Sequence, residues 1–104
     1  MNGEDRFWQL AGELQAEDGR VALGTIMSSR CLRVGEEFLA LYDAKRGGAV
    51  VKLPAERVAV LIASGHGEAF APAGRVFKEW VLVEDGQRRR WPKLLREGIA
   101  FVGT

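Results

Sequence analysis

Cysteine is almost missing from this sequence. Cys31 stands alone, so no intramolecular disulfide can form and a disulfide-stapled secreted scaffold is excluded. Histidine is equally scarce, with His66 its one example. A zinc centre needs three or four ligands, and covalent catalysis needs a nucleophile, a base and an orienting group together. Cys31 and His66 supply neither set, so no metal, no cofactor and no catalytic residue is expected, and the chain reads as a non-enzyme. Cys31 is expected as a small buried strand residue and His66 as a loop residue. Long apolar runs are also lacking. The longest, Val58 to Ala63, falls far short of the roughly 20 residues that cross a bilayer. The start of the chain (Asn2, Glu4, Asp5) is polar and acidic, without the basic region and apolar core of a signal peptide. Cytoplasmic residence without a membrane partner is the expectation. Charge of one sign is not in excess either, since the net charge is +1. Phosphate neutralisation supplies much of the affinity for DNA, so any nucleic-acid contact must rest on local clustering of cations. Finally, no GxGxxG or GxxxxGK[ST] pattern follows a strand, which argues against a nucleotide-binding α/β fold.

What is present is an ordinary globular pattern. The 104 residues predict one domain, 1–104, with 47% hydrophobic and 28% charged residues. Phe7, Leu10, Ala11 and Leu14 recur at helical spacing, which predicts a helix over residues 4–17. A first strand is expected within Arg20–Met27. A hairpin follows, from Cys31–Val34 to Phe38–Tyr42 around Gly35 and Glu36. Ala49–Leu53 is the next strand. At Pro54 the period changes to 3.6, giving a helix to Ser64 with Pro54 as its first residue and Val58, Leu61 and Ile62 as its buried stripe. Gly65–Arg75 reads as a long loop, Val76–Val83 as a strand, and Gln87–Arg90 as a basic linker. Trp91, Leu94, Leu95, Ile99 and Val102 mark a closing helix, in which Gly98 costs about 1 kcal/mol relative to alanine and so points to close packing. The fold class is α+β: a two-layer sandwich with an antiparallel sheet of about five strands and flanking helices.

The segments Glu37-Phe38-Leu39-Ala40-Leu41, Val51-Lys52-Leu53-Pro54, Glu56-Arg57-Val58, Gly65 to Gly67 with Phe70 and Pro72, Gly74-Arg75, Lys78-Glu79-Trp80-Val81, Trp91, Leu94-Leu95 and Phe101-Val102 occur in one order and spacing. In this the chain resembles the TfoX N-terminal domain family, allied with the MmcQ/YjbR-like small proteins. Met27-Ser28-Ser29 stands where that family carries a glycine-containing turn. The resemblance implies a two-layer sandwich and a regulatory, transcription-related role, with DNA as a partner suspected for the YjbR-like members. It implies no catalytic motif.

Two surfaces are candidates for use. Arg88, Arg89 and Arg90, with Lys93 and Arg96 beyond them, gather positive charge before and within the closing helix, where backbone N–H groups would add to an anion site. The bland alternative is a solvated basic linker. The other surface is the sheet. In the strand Val76–Val83, Phe77, Val81 and Val83 alternate with Val76, Lys78, Trp80 and Leu82, so both faces are partly apolar. Were Arg33 and Lys52 to share the Trp80 face with Lys78, three cations would surround an aromatic, a mixture suited to a nucleic-acid strand or an acidic peptide. Alternatively Trp80, Leu82 and Val76 form an interface for a protein partner or a homodimer, or Trp80 is simply core. Acidic neighbours such as Glu36/Glu37 and Glu84/Asp85 fall in turns, where solvation is their ordinary fate.

Overall fold

In the computed structural model, which describes residues 1–104, Asn2 opens helix α1 (Gly3–Glu17) by accepting the Asp5 N–H on its side-chain oxygen at 2.8 Å. Glu4 and Asp5 then sit in the first turn, where the helix dipole favours them. Strands β1 (Val21–Ile26) and β2 (Ser29–Val34) are joined by Met27 and Ser28, both at positive φ (49° and 66°), as a two-residue hairpin turn requires. Strand β3 (Glu37–Asp43) follows a turn at Gly35, whose φ is 62°. Strand β4 (Gly48–Lys52) leads into helix α2 (Ala55–Ala63). Strands β5 (Glu68–Ala69) and β6 (Trp80–Glu84) and helix α3 (Trp91–Val102) complete the chain. The sheet is antiparallel throughout, in the order β1-β2-β3-β4-β6-β5. All three helices lie on one side of it, so the chain is an α+β sandwich, with six strands where about five were expected.

Several boundaries move for identifiable reasons. Pro54 is the N-cap of α2 in extended geometry (φ −55°, ψ 145°) rather than its first residue, and its carbonyl accepts the Arg57 and Val58 N–H groups. Ile62 is 40% exposed, so the buried stripe of α2 is Val58 and Leu61 alone. The long loop contains β5 and a 3₁₀ turn at Pro72–Gly74. Gln87–Arg90 belongs to 3₁₀ turns (Asp85–Arg90) that run straight into α3. The largest change concerns Val76–Val83, which is strand only from Trp80. Lys78 and Glu79 form a turn closed by the Trp80 N–H on the Phe77 carbonyl at 3.1 Å. That turn brings Phe77 and Trp80 onto the same side of the sheet, with rings 4.9 Å apart and 23° from parallel. In a continuous strand, residues three apart would face opposite ways.

The helix side holds a core of 20 buried residues. Strand β3 fills it with a bulge: Leu32 pairs with Ala40 and Arg33 with Phe38, leaving Leu39 extra, so Leu39 and Ala40 both reach this core. At its centre Trp91, fully buried, packs edge-on to Phe7 and Tyr42 (centroids 6.1 and 6.2 Å) and donates its indole N–H to the Val83 carbonyl at 3.0 Å. Tyr42 donates its hydroxyl to the Asp85 carboxylate at 2.9 Å, and burial followed by that carboxylate pushes the phenol up to about 12. Asp85 in turn lies so close to α1 that a Cβ on Gly3 would overlap it.

Gly98 explains how α3 seats on the sheet. A Cβ there would lie 2.9 Å from both the Leu39 Cδ1 and the Lys52 backbone oxygen. A backbone carbonyl cannot step aside cheaply, so overpacking of about 1–3 kcal/mol outweighs the propensity gain of about 1 kcal/mol. Gly98→Ala is therefore expected to lower the thermal midpoint by several degrees, whereas the same change at an unpacked helical glycine raises it. A midpoint equal to or above that of the parent protein contradicts this seating.

Candidate nucleic-acid interface

Helix α2 carries Arg57 four residues before Leu61, which stacks them on one face. The 3₁₀ turns Asp85–Arg90 and the first turn of α3 present Arg89, Arg90, Lys93 and Leu94 to that face. Between them lies a concavity of about 310 Å³ bounded by Arg57, Leu61, Arg89, Arg90, Lys93 and Leu94. Leu61 and Leu94 are buried and form its floor. Arg57 is held by Glu97 of α3 through two hydrogen bonds, Nε to Oε1 at 2.8 Å and Nη2 to Oε2 at 3.3 Å. Arg90 is held by Gln87 (Nε to Oε1, 3.0 Å) and by His66 (Nη2 to Nε2, 3.0 Å). Because a guanidinium can only donate, His66 Nε2 must accept. Its Nδ1 then carries the hydrogen and donates to Ser64 Oγ at 3.0 Å, and that hydroxyl donates to the Leu61 carbonyl at 3.2 Å. His66 reaches this position because Gly65, at φ 79°, ends α2 with a left-handed turn. Arg89 and Lys93 are exposed and bond to no protein group.

The cations singled out in the sequence are thus partly assembled. Arg89, Arg90 and Lys93 converge, and Arg57 joins them from α2, a residue the sequence reading passed over. Its spacing to Leu61 was the available signal, but only the packing of α2 on α3 brings it to the arginine run. Arg88 leaves the group and donates to the Met1 carbonyl at 3.1 Å. Arg96 pairs with Glu17 of α1 at 2.7 Å. At the start of α3 the Trp91 N–H bonds the Arg88 carbonyl and Pro92 has none, so neither of these two positions offers a free backbone donor.

Arg33, Lys52 and Lys78 lie elsewhere. Register places Arg33 opposite Phe38 and Lys52 opposite Trp80, so both do point to the Trp80 side of the sheet. Arg33, however, donates to the Glu36 and Thr25 carbonyls at 2.8 and 2.6 Å, and Lys52 sits in a hollow with Glu37 and Glu79. Lys78 is exposed in its turn, at one end of an apolar groove of about 230 Å³ between α2 and Val76–Trp80.

The second sheet face is closed by the chain itself. Phe70, Phe77, Phe38 and Trp80 cover Val50, Leu82 and Cys31, with Phe38 and Trp80 stacked at 4.2 Å and 20°. The segment between Phe70 and Phe77 is pinned at its neck by the Phe77 N–H on the Phe70 carbonyl at 3.1 Å. Leu82 is only 3% exposed and Trp80 half-buried, while Val76 is 56% exposed outside the stack, so these three do not form one apolar surface. Cys31 lies beneath the stack, where burial raises its thiol above the ordinary range. The acidic pairs also differ from simple solvation: Asp85 binds Tyr42, and a hydrogen bond between the Glu68 and Glu84 side chains, followed by burial, raises Glu68 above the usual carboxylate range. No three His, Cys, Asp or Glu side chains gather as a metal ion needs, and no helix is long and apolar enough to cross a membrane.

Compared with protein-family models, with curated proteins and with solved structures, the chain matches none.

Proposed function

We propose that the protein is a small non-enzymatic regulatory module, cytoplasmic and transcription-related, that contacts DNA through the basic concave face of α2, the 3₁₀ turns and α3. The observation that carries this reading is the convergence of Arg57, Arg89, Arg90 and Lys93 on one concavity in a chain whose net charge is only +1. Arg57 and Arg90 are fixed by neighbouring side chains before any ligand arrives, which lowers the ordering cost of binding. A transcription-related role is also what the resemblance of these segments to TfoX N-terminal domains would imply, with DNA suspected as a partner of the allied YjbR-like proteins. The alternative, a protein-interaction or dimerisation module using the sheet face, loses its main support because the chain's own Phe70–Phe77 segment covers that face.

The test is the anisotropy of a labelled mixed-sequence duplex titrated with the protein at 50 mM and at 200 mM salt. Contact with about three phosphates predicts a loss of roughly tenfold or more in affinity across that range. Replacing Arg89 and Lys93 together by glutamine should weaken binding at low salt about tenfold, at unchanged thermal stability, because both side chains are exposed. Salt-independent binding, or binding indifferent to that double change, would refute the reading.

A further inference from the structure

The concavity has features that an open DNA-backbone face does not need, and they narrow its ligand. Resting on the DNA-contact reading above, we propose that this hollow is a discrete site for a phosphate monoester, as carried by the 5′ end of a nucleic-acid strand or by a free nucleotide. Charge is the first argument. Four cations and one carboxylate, Glu97, border or brace the hollow, leaving three positive charges unbalanced. An internal phosphodiester brings one negative charge, whereas a monoester brings about 1.5 to 2 and three acceptor oxygens. Geometry is the second. Glu97 occupies Arg57 through Nε and Nη2, and Gln87 and His66 occupy Arg90 through the same two nitrogens, so both guanidiniums keep their Nη1 ends free. Two braced donors and the exposed, unbonded ends of Arg89 and Lys93 can thus meet one compact anion from several sides. Shape is the third. A volume of about 310 Å³ is that of a small-ligand site. Leu61 and Leu94 lie buried beneath it and close its floor.

The experiment compares two single-stranded eight-residue DNA oligonucleotides, identical except for a 5′-phosphate or a 5′-hydroxyl, by anisotropy at 50 mM salt. AMP and adenosine are titrated in parallel by calorimetry. The 5′-phosphorylated strand is expected to bind at least about tenfold more tightly than its hydroxyl counterpart, as charge-assisted hydrogen bonds to one extra dianion imply. The combined variant Arg89→Gln with Lys93→Gln should erase the difference, while Lys45→Gln with Lys78→Gln, which removes an equal charge from two exposed turns outside the hollow, should preserve it. Equal binding of both strands overturns the discrete site and leaves the general DNA reading intact. Binding of AMP but not adenosine, with neither strand bound, supports the monoester site, assigns it to a free nucleotide and removes a strand's 5′ end as its ligand. No binding by any of the four probes overturns the monoester site, and the duplex titration above then decides the DNA reading by itself.

Discussion

Replacing Trp91 by alanine is expected to cost about 4 kcal/mol, a large fraction of the stability of about 5–15 kcal/mol usual for a domain this size. The ring is fully buried where α1, β3, β6 and α3 meet, against Phe7 and Tyr42, and its indole N–H is bonded to the Val83 carbonyl. The substitution leaves a large cavity and takes a donor from a buried carbonyl. Trp91→Phe keeps most of the packing and forfeits the hydrogen bond, so an intermediate loss of about 1–3 kcal/mol should follow. Urea unfolding monitored by circular dichroism distinguishes the three proteins. A loss below about 1.5 kcal/mol for the alanine variant means that α3 does not depend on this ring for its place on the sheet.

Trp80→Ala separates two roles for the same side chain. With Trp80 stacked on Phe38, Phe77 and Phe70 at 4.2, 4.9 and 5.6 Å, it acts as the keystone of a second small core. Its removal is expected to lower stability by about 2–3 kcal/mol, less than for Trp91 because the ring is only half-buried. The Phe70–Phe77 segment should loosen at the same time, and trypsin should cut after Arg75 faster than in the parent protein. An exposed stacking platform predicts the opposite: stability within about 0.5 kcal/mol and an unchanged rate of cutting at Arg75.

Gly98, Trp91 and Trp80 also show how far the sequence reaches. The 3.6-residue spacing of Phe7, Leu10, Ala11 and Leu14, the proline before α2 and the glycine in the hairpin after Val34 are local signals. Each was legible because the physics that sets it acts within a few residues. The close seating of α3 was legible at Gly98, since a glycine inside a helix needs a reason. Val76 to Val83 failed as one strand because its apolar residues serve two purposes. Phe77 and Trp80 join a stack on the outer face, and that stack, made with Phe38 and Phe70 from distant parts of the chain, requires a turn at Lys78 and Glu79. The bulge at Leu39 was hidden for the same reason: nothing in its own neighbourhood marks the extra residue.

The basic site divides in the same way. The arginine run and Lys93 are visible in the sequence as charge, because composition is local. Tertiary structure decides which of these cations act together. Packing α2 against α3 draws in Arg57 through Glu97 and brings His66 to brace Arg90, while the start of the chain takes Arg88 and α1 takes Arg96. By itself, then, the sequence determined an α+β chain of three helices and an antiparallel sheet, with cations concentrated before its last helix. The fold decided that one sheet face is closed by the chain's own aromatic rings and that four cations face a single hollow. Hydrophobic periodicity is written residue by residue, whereas the meeting of side chains tens of residues apart depends on how whole elements pack.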